Sequence, residues 1–329
     1  MRNDKADIKP LVATFLLLFQ FAVRAQQPNT STEKTQRDKE LIFSRYPIIS
    51  FDALALSHIG KSVVTNLTRD DFTILENGIK QDIFAWRRPP APLSFLLVID
   101  PASDDTNANA LDHQLSTMKA SLIARLNSND EVSVELFGER PTLLQDYTSD
   151  KQLINDALDR VSQQRLVSTM PIDQRLSNGL KEAAQHARFV QNPEARRVII
   201  LISDSAEKIR DLLISPEAVR AIIGPVPIIF CWNVTGHLDF QVLGESQYSL
   251  NKISLLNLVQ LTGGEFVNNE WEAFIEQMRG RYWIAYLPSA QRRGGELVKI
   301  EVQLKPSPKL NINDVALTYS RIAIIPSVK

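Results

Sequence analysis

The chain has 329 residues, 44% of them hydrophobic, which is enough to bury at least one full core and suggests about two domains. Lysine and arginine number 37 against 38 aspartate and glutamate, a formal net charge of -1, and the basic residues form no dense block. That balance argues against nucleic acid or an anionic membrane surface as the partner, since both call for a positive field.

Residues 1–25 read as a secretory signal. Arg2, Lys5 and Lys9 precede an apolar core from Leu11 to Val23, and Val23-Arg24-Ala25 supplies a small-residue exit. The core is shorter than the roughly 20 residues that span a bilayer, so cleavage is expected, with an uncleaved anchor as the competing reading. The mature chain is then periplasmic or secreted, with no membrane span. Gln26 to Glu40 is polar, and residues 26–44 are expected to form a disordered tether.

Residues 45–91 predict a small β module. Pro47 to Leu56 combines an apolar run with alternation, and Phe72 to Leu75 leads through Glu76-Asn77-Gly78 into Ile79 to Trp86. Asn-Gly between two such runs is the strongest short-range hairpin signal.

From Ser94 the pattern changes to strands alternating with amphipathic helices, which predicts an α/β fold with a doubly wound, mainly parallel sheet over residues 92–290. Strands are expected at 94–100, 131–137, 197–203, 226–232 and 282–287, with a short one at 264–267. Helices are expected at 112–126, 150–161, 173–190, 216–223, 250–261 and 270–279. Their apolar stripes, such as Leu115, Met118 and Leu122, are core faces. Residues 131–137 and 142–145 predict an antiparallel hairpin at one edge of that sheet.

Cys231 is the only cysteine, which rules out an intramolecular disulfide. It sits in the apolar run Val226 to Trp232 and reads as a buried, inert thiol. Residues 291–329 return to strand-like sequence. Neither flanking segment has enough strands for its own core, so the N- and C-terminal segments are expected to form one β module around the α/β unit.

The run Ser94-Phe95-Leu96-Leu97-Val98-Ile99-Asp100-Pro101-Ala102-Ser103-Asp104 ends a buried parallel strand in an acidic loop, which is where open α/β sheets place ligand sites. It resembles the first strand and metal loop of a von Willebrand factor A domain, whose signature is D-x-S-x-S. Three further segments are similar to von Willebrand factor A-related acidobacterial domain proteins. They are Asn66 to Gln81, Leu261-Thr262-Gly263-Gly264-Glu265-Phe266, and Arg281-Tyr282-Trp283-Ile284-Ala285-Tyr286-Leu287-Pro288.

The resemblance implies a metal-ion-dependent adhesion site at the C-terminal edge of the sheet, with Asp100, Asp104, Thr169 and Asp204 as candidate ligands and Mg²⁺ or another divalent cation as the ion. Oxygen donors suit such hard cations. The pattern is degenerate. Ala102 offers no side-chain donor, Asp104 places an anion where the family has a neutral hydroxyl, and Ser205 stands where glycine is usual. A metal-free site, with these carboxylates as solvated loop groups or helix caps, is the competing expectation.

For catalysis the chain offers little. His58, His113, His186 and His237 form no H-E-x-x-H pattern, and no G-x-S-x-G elbow or P-loop is present. The resemblance implies a non-catalytic interaction or adhesion module whose top loops contact another protein or a surface polymer. A structural assembly subunit with a defunct metal site, or a metal-assisted hydrolase, are the alternatives.

Overall fold

The computed structural model describes residues 47–58, 62–100, 108–137, 141–161, 163–164, 170–203, 209, 211–224, 226–233, 249–268, 270–289, 293–306 and 311–327. The expected signal and tether lie outside these residues.

The centre is a six-stranded sheet made of β5 (Leu93–Ile99), β6 (Glu131–Leu136), β7 (Thr142–Thr148), β8 (Arg196–Ile202), β9 (Ile228–Asn233) and β10 (Phe266–Val267). Its order is β10-β9-β8-β5-β6-β7, parallel except for β7, which closes one edge as the antiparallel arm of the expected hairpin. In register, Leu97 lies between Val134 and Ile200. Strand alternation sends successive residues to opposite faces, and both faces are covered.

On one face Leu96, Val98, Ile199 and Leu201 pack against α3 (Ile172–His186), α4 (Pro216–Ile222) and α5 (Leu255–Leu261). On the other, Phe95, Leu97, Val198 and Ile200 meet α1 (Ala108–Ser121), α2 (Lys151–Val161) and α6 (Trp271–Arg279). Local chemistry starts α2 and α4 close to where the sequence suggests. Asp150 Oδ1 accepts the Gln152 amide at 2.8 Å ahead of α2, and Ser215 Oγ accepts the Ala218 amide at 3.3 Å with Pro216 opening α4. Cys231 is fully buried in the second face, and burial pushes its thiol up to about 12, as an inert core group requires.

The flanking segments build two four-stranded sheets. One has the order β13-β1-β11-β4, from β1 (Ile49–Ser57), β4 (Ile83–Arg87), β11 (Tyr282–Tyr286) and β13 (Val315–Tyr319). The other runs β14-β12-β2-β3, from β2 (Phe72–Glu76), β3 (Ile79–Gln81), β12 (Leu297–Leu304) and β14 (Ile322–Ile324). N-terminal β1 pairs with C-terminal β13, and β2 with β12, so the two ends of the chain share the β module. Phe51, Ile284, Ile74 and Ile300 from the two sheets form one apolar core. Across it the Tyr286 hydroxyl donates to Oε2 of fully buried Glu76 at 3.0 Å.

Two strands lie elsewhere than the sequence suggests. The strand at 282–287, expected in the doubly wound sheet, is β11 and pairs with β1 and β4. Its apolar alternation is the same in either sheet, and a strand carries no label for its partner. The Asn77-Gly78 turn, with φ of 48° and 81°, does close a hairpin, though only as far as Gln81. After Asp82 the chain crosses to the other sheet as β4. The Gln81 amide group holds that crossing, because its Oε1 accepts the Ser289 amide at 2.8 Å.

Candidate functional site

The sheet order reverses at β5 and β8. The chain leaves β5 toward β6 on one side, while β8 leads to β9 and β10 on the other, so the segments after these adjacent strands diverge and leave a crevice at their carboxyl ends. Asp100 follows β5 there and Ser203 follows β8. The Asp100 amide donates to Ile202 O at 2.9 Å, which fixes the two strand ends side by side.

Alternation places Asp100 on the face of Leu96 and Val98, and Ser203 on the face of Ile199 and Leu201, so both point toward α3. Ser203 Oγ donates to Asp100 Oδ2 at 3.4 Å. Both residues are fully buried. A carboxylate without water needs a compensating charge or a full set of donors.

The charge comes from Arg175. Its Nη2 lies 3.6 Å from Asp100 Oδ2, an ion pair slightly beyond direct hydrogen-bond reach, and the Arg175 side chain is only 8% exposed. The guanidinium sits 5.8 Å from the centroid of the Phe137 ring, within cation–π range, and its Nε is buried with no hydrogen-bond partner. Phe137 is itself tied to the site, because its amide donates to Ile99 O at 3.0 Å.

Gly179, one turn along α3 from Arg175, explains how the helix comes this close. A Cβ at that position would meet the Phe137 Cβ at 2.7 Å, so only glycine lets α3 seat on Phe137. Ser177 adds a tether by accepting the Ser215 amide at 3.1 Å.

Of the expected ligand set, Asp100 is described and stands at the carboxyl edge of the sheet. Asp104, Thr169 and Asp204 lie outside the described residues. The sequence reading missed Arg175. Its signal is a charge on the buried stripe of an amphipathic helix, in line with Leu176, Gly179, Leu180 and Ala183, a place where arginine needs a partner.

A hard divalent cation does not fit these residues well. Asp100, the one described candidate ligand, already faces a guanidinium, and an ion on the same carboxylate would bring a second positive centre close to it.

Residues 96–207, which run from β5 through the end of β8, match the family model of the von Willebrand factor type A domain. Over that span the chain is similar to a von Willebrand factor type A domain. The matched span of the A domain holds Asp100, Arg175 and Ser203. No curated protein matches the chain significantly.

Among solved structures, the chain is similar to the conserved hypothetical protein BatB from Bacteroides thetaiotaomicron, at 16% identity and a TM-score of 0.40, over 56% of this chain and 96% of that one. It is similar to proximal thread matrix protein 1 from the mussel byssus, described with a zinc-occupied MIDAS motif, at 16% identity and 0.38, over 62% and 49%. A von Willebrand factor type A protein from Catenulispora acidiphila aligns at 11% and 0.37, over 87% and 74%.

Proposed function

We propose that this chain is an exported, non-catalytic interaction or adhesion module that contacts another protein or a surface polymer through the carboxyl edge of its A domain. The observation that carries this reading is the convergence of Asp100, Ser203 and Arg175 at the switch point of the A-domain sheet, the place where open α/β sheets present ligand sites. Two titratable groups elsewhere in the domain are committed to structure. His186 is held between two carboxylates, and Cys231 is a buried thiol. Export rests on the charged start, the apolar core and the small-residue exit of residues 1–25. Among the described residues, no helix is long and apolar enough to cross a membrane.

The test is positional cross-linking in the producing cell. A photoreactive residue at Gln174, exposed in the first turn of α3 beside Arg175, is expected to trap a discrete partner. The same residue at Asn129, exposed just before β6 at the opposite edge of the sheet, is expected to trap none. Equal adducts from both positions, or none from Gln174, would defeat the assignment to this edge.

A further inference from the structure

We infer that Arg175 is the resident cation of this sheet edge, supplying beside Asp100 the positive charge that a divalent ion would otherwise bring, so that the A domain works without a metal. The inference concerns the charge at the edge and does not depend on which partner binds there.

Local preference argues against an arginine at this position, and its presence therefore needs a cause. Arg175 stands in the first turn of α3, near the positive end of the helix dipole, where cations are disfavoured. It is 7% exposed, and burying a guanidinium is costly unless an anion accompanies it. The accompanying anion in reach is Asp100 at 3.6 Å, on a fully buried carboxylate.

The pair is built in, not incidental. Phe137 stacks beside the guanidinium and is anchored to Ile99, while the absent side chain at Gly179 brings α3 down onto Phe137. The Arg175 Nε has no hydrogen-bond partner, so packing and charge hold the group more than a full donor set does. A divalent ion on the Asp100 carboxylate would sit about 2.0–2.1 Å from its oxygen and within a few ångströms of the guanidinium, placing two positive centres against each other. The guanidinium thus takes the place of the ion electrostatically and keeps it out.

The experiment uses the full chain and the metals alone. In calorimetric titration with Mg²⁺ and with Mn²⁺ at millimolar concentration, the unaltered protein is expected to give no one-to-one binding, and its melting temperature to match an ionic-strength control. Arg175→Ala is expected to melt several degrees lower and to regain part of that loss on adding Mn²⁺. The rescue should vanish in Arg175→Ala combined with Asp100→Asn.

One-to-one binding by the unaltered protein that Asp100→Asn abolishes would overturn the inference. So would an Arg175→Ala protein that melts normally, or one that melts low and ignores the metal. If Arg175→Ala does not fold, Arg175→Lys decides. With the positive charge kept, it should fold and remain indifferent to Mn²⁺, and a metal-dependent rise in its melting temperature would count against the inference.

Discussion

Arg196 Nε donates to Asp52 Oδ1 across 2.7 Å, joining the start of β8 in the central sheet to β1 of the sandwich. Both residues are buried, and the remaining donors of Arg196 reach Met278 O at 2.5 Å and Arg281 O at 2.7 Å. One guanidinium therefore binds β8, β1, the last turn of α6 and the residue just ahead of β11. Burial pulls its pKa down while Asp52 holds it up, the signature of a charge that is tolerated because it is paired.

Asp52→Ala is expected to cost about 3–5 kcal/mol, because it leaves the Arg196 charge buried without its anion. Asp52→Leu combined with Arg196→Met should cost less than the sum of the two single changes, since the pair is removed together. Urea unfolding of the two single variants and the double variant measures the coupling. Additive losses would mean that the pair does not act as a unit.

The imidazole of His186 lies between two carboxylates, Nδ1 3.1 Å from Glu135 Oε2 and Nε2 3.1 Å from Asp146 Oδ1. The hydrogen bond with Glu135 raises its pKa above the ordinary 6.5, burial opposes the rise, and Asp146 adds to it. A folded-state value above the unfolded one means that protonation favours the fold. This contribution is complete below about pH 6.5 and is lost as pH climbs through the raised value. The urea midpoint is expected to fall between pH 6 and pH 9, and His186→Gln should flatten that part of the profile. An identical fall in the variant would place the effect elsewhere.

Gly179→Ala is expected to lower stability by about 1–3 kcal/mol, the usual range for overpacking, because the added methyl meets a Cβ that cannot rotate away. Glu182→Ala, on the exposed side of the same helix, should stay within about 0.5 kcal/mol of the unaltered protein. Equal losses from the two would show that helix propensity and not the contact with Phe137 decides.

Intact-mass measurement of the exported product is expected to show a chain beginning at Gln26, with Met1 to Ala25 removed. A product that retains those residues would make the apolar stretch an anchor.

The central sheet was legible because its strands obey simple periodicities. Phe95, Leu97 and Ile99 go to one face and Leu96 and Val98 to the other, and both faces are covered, so the run is continuously apolar. Asp100 was legible for the same reason, as the first charge after that run. Arg175 was not, because its role depends on a residue 75 positions earlier that no spacing rule connects to it. The placement of β11 was equally hidden. Ile284 and Tyr286 would serve as inward residues in either sheet, and what seats them is the long-range pairing with Ile49 to Ala53 and the Tyr286–Glu76 contact.

The way the A domain joins the sandwich has a mechanical consequence. The chain departs from the end of β4 and returns at the start of β11, and these neighbours face each other as Arg87 opposite Trp283, so both connections leave from the same end of one strand pair. A partner pulling on the carboxyl edge would load that pair like a zipper, opening rungs one after another instead of shearing them together. Arg196, which grips Met278, Arg281 and Asp52, spans the open end of the zipper and would have to let go first. Arg196→Met should therefore lower the force at which the joint yields in single-molecule stretching, and an unchanged force would put the resistance elsewhere. The joint between the two parts would then owe its resistance to one buried side chain far from the carboxyl edge.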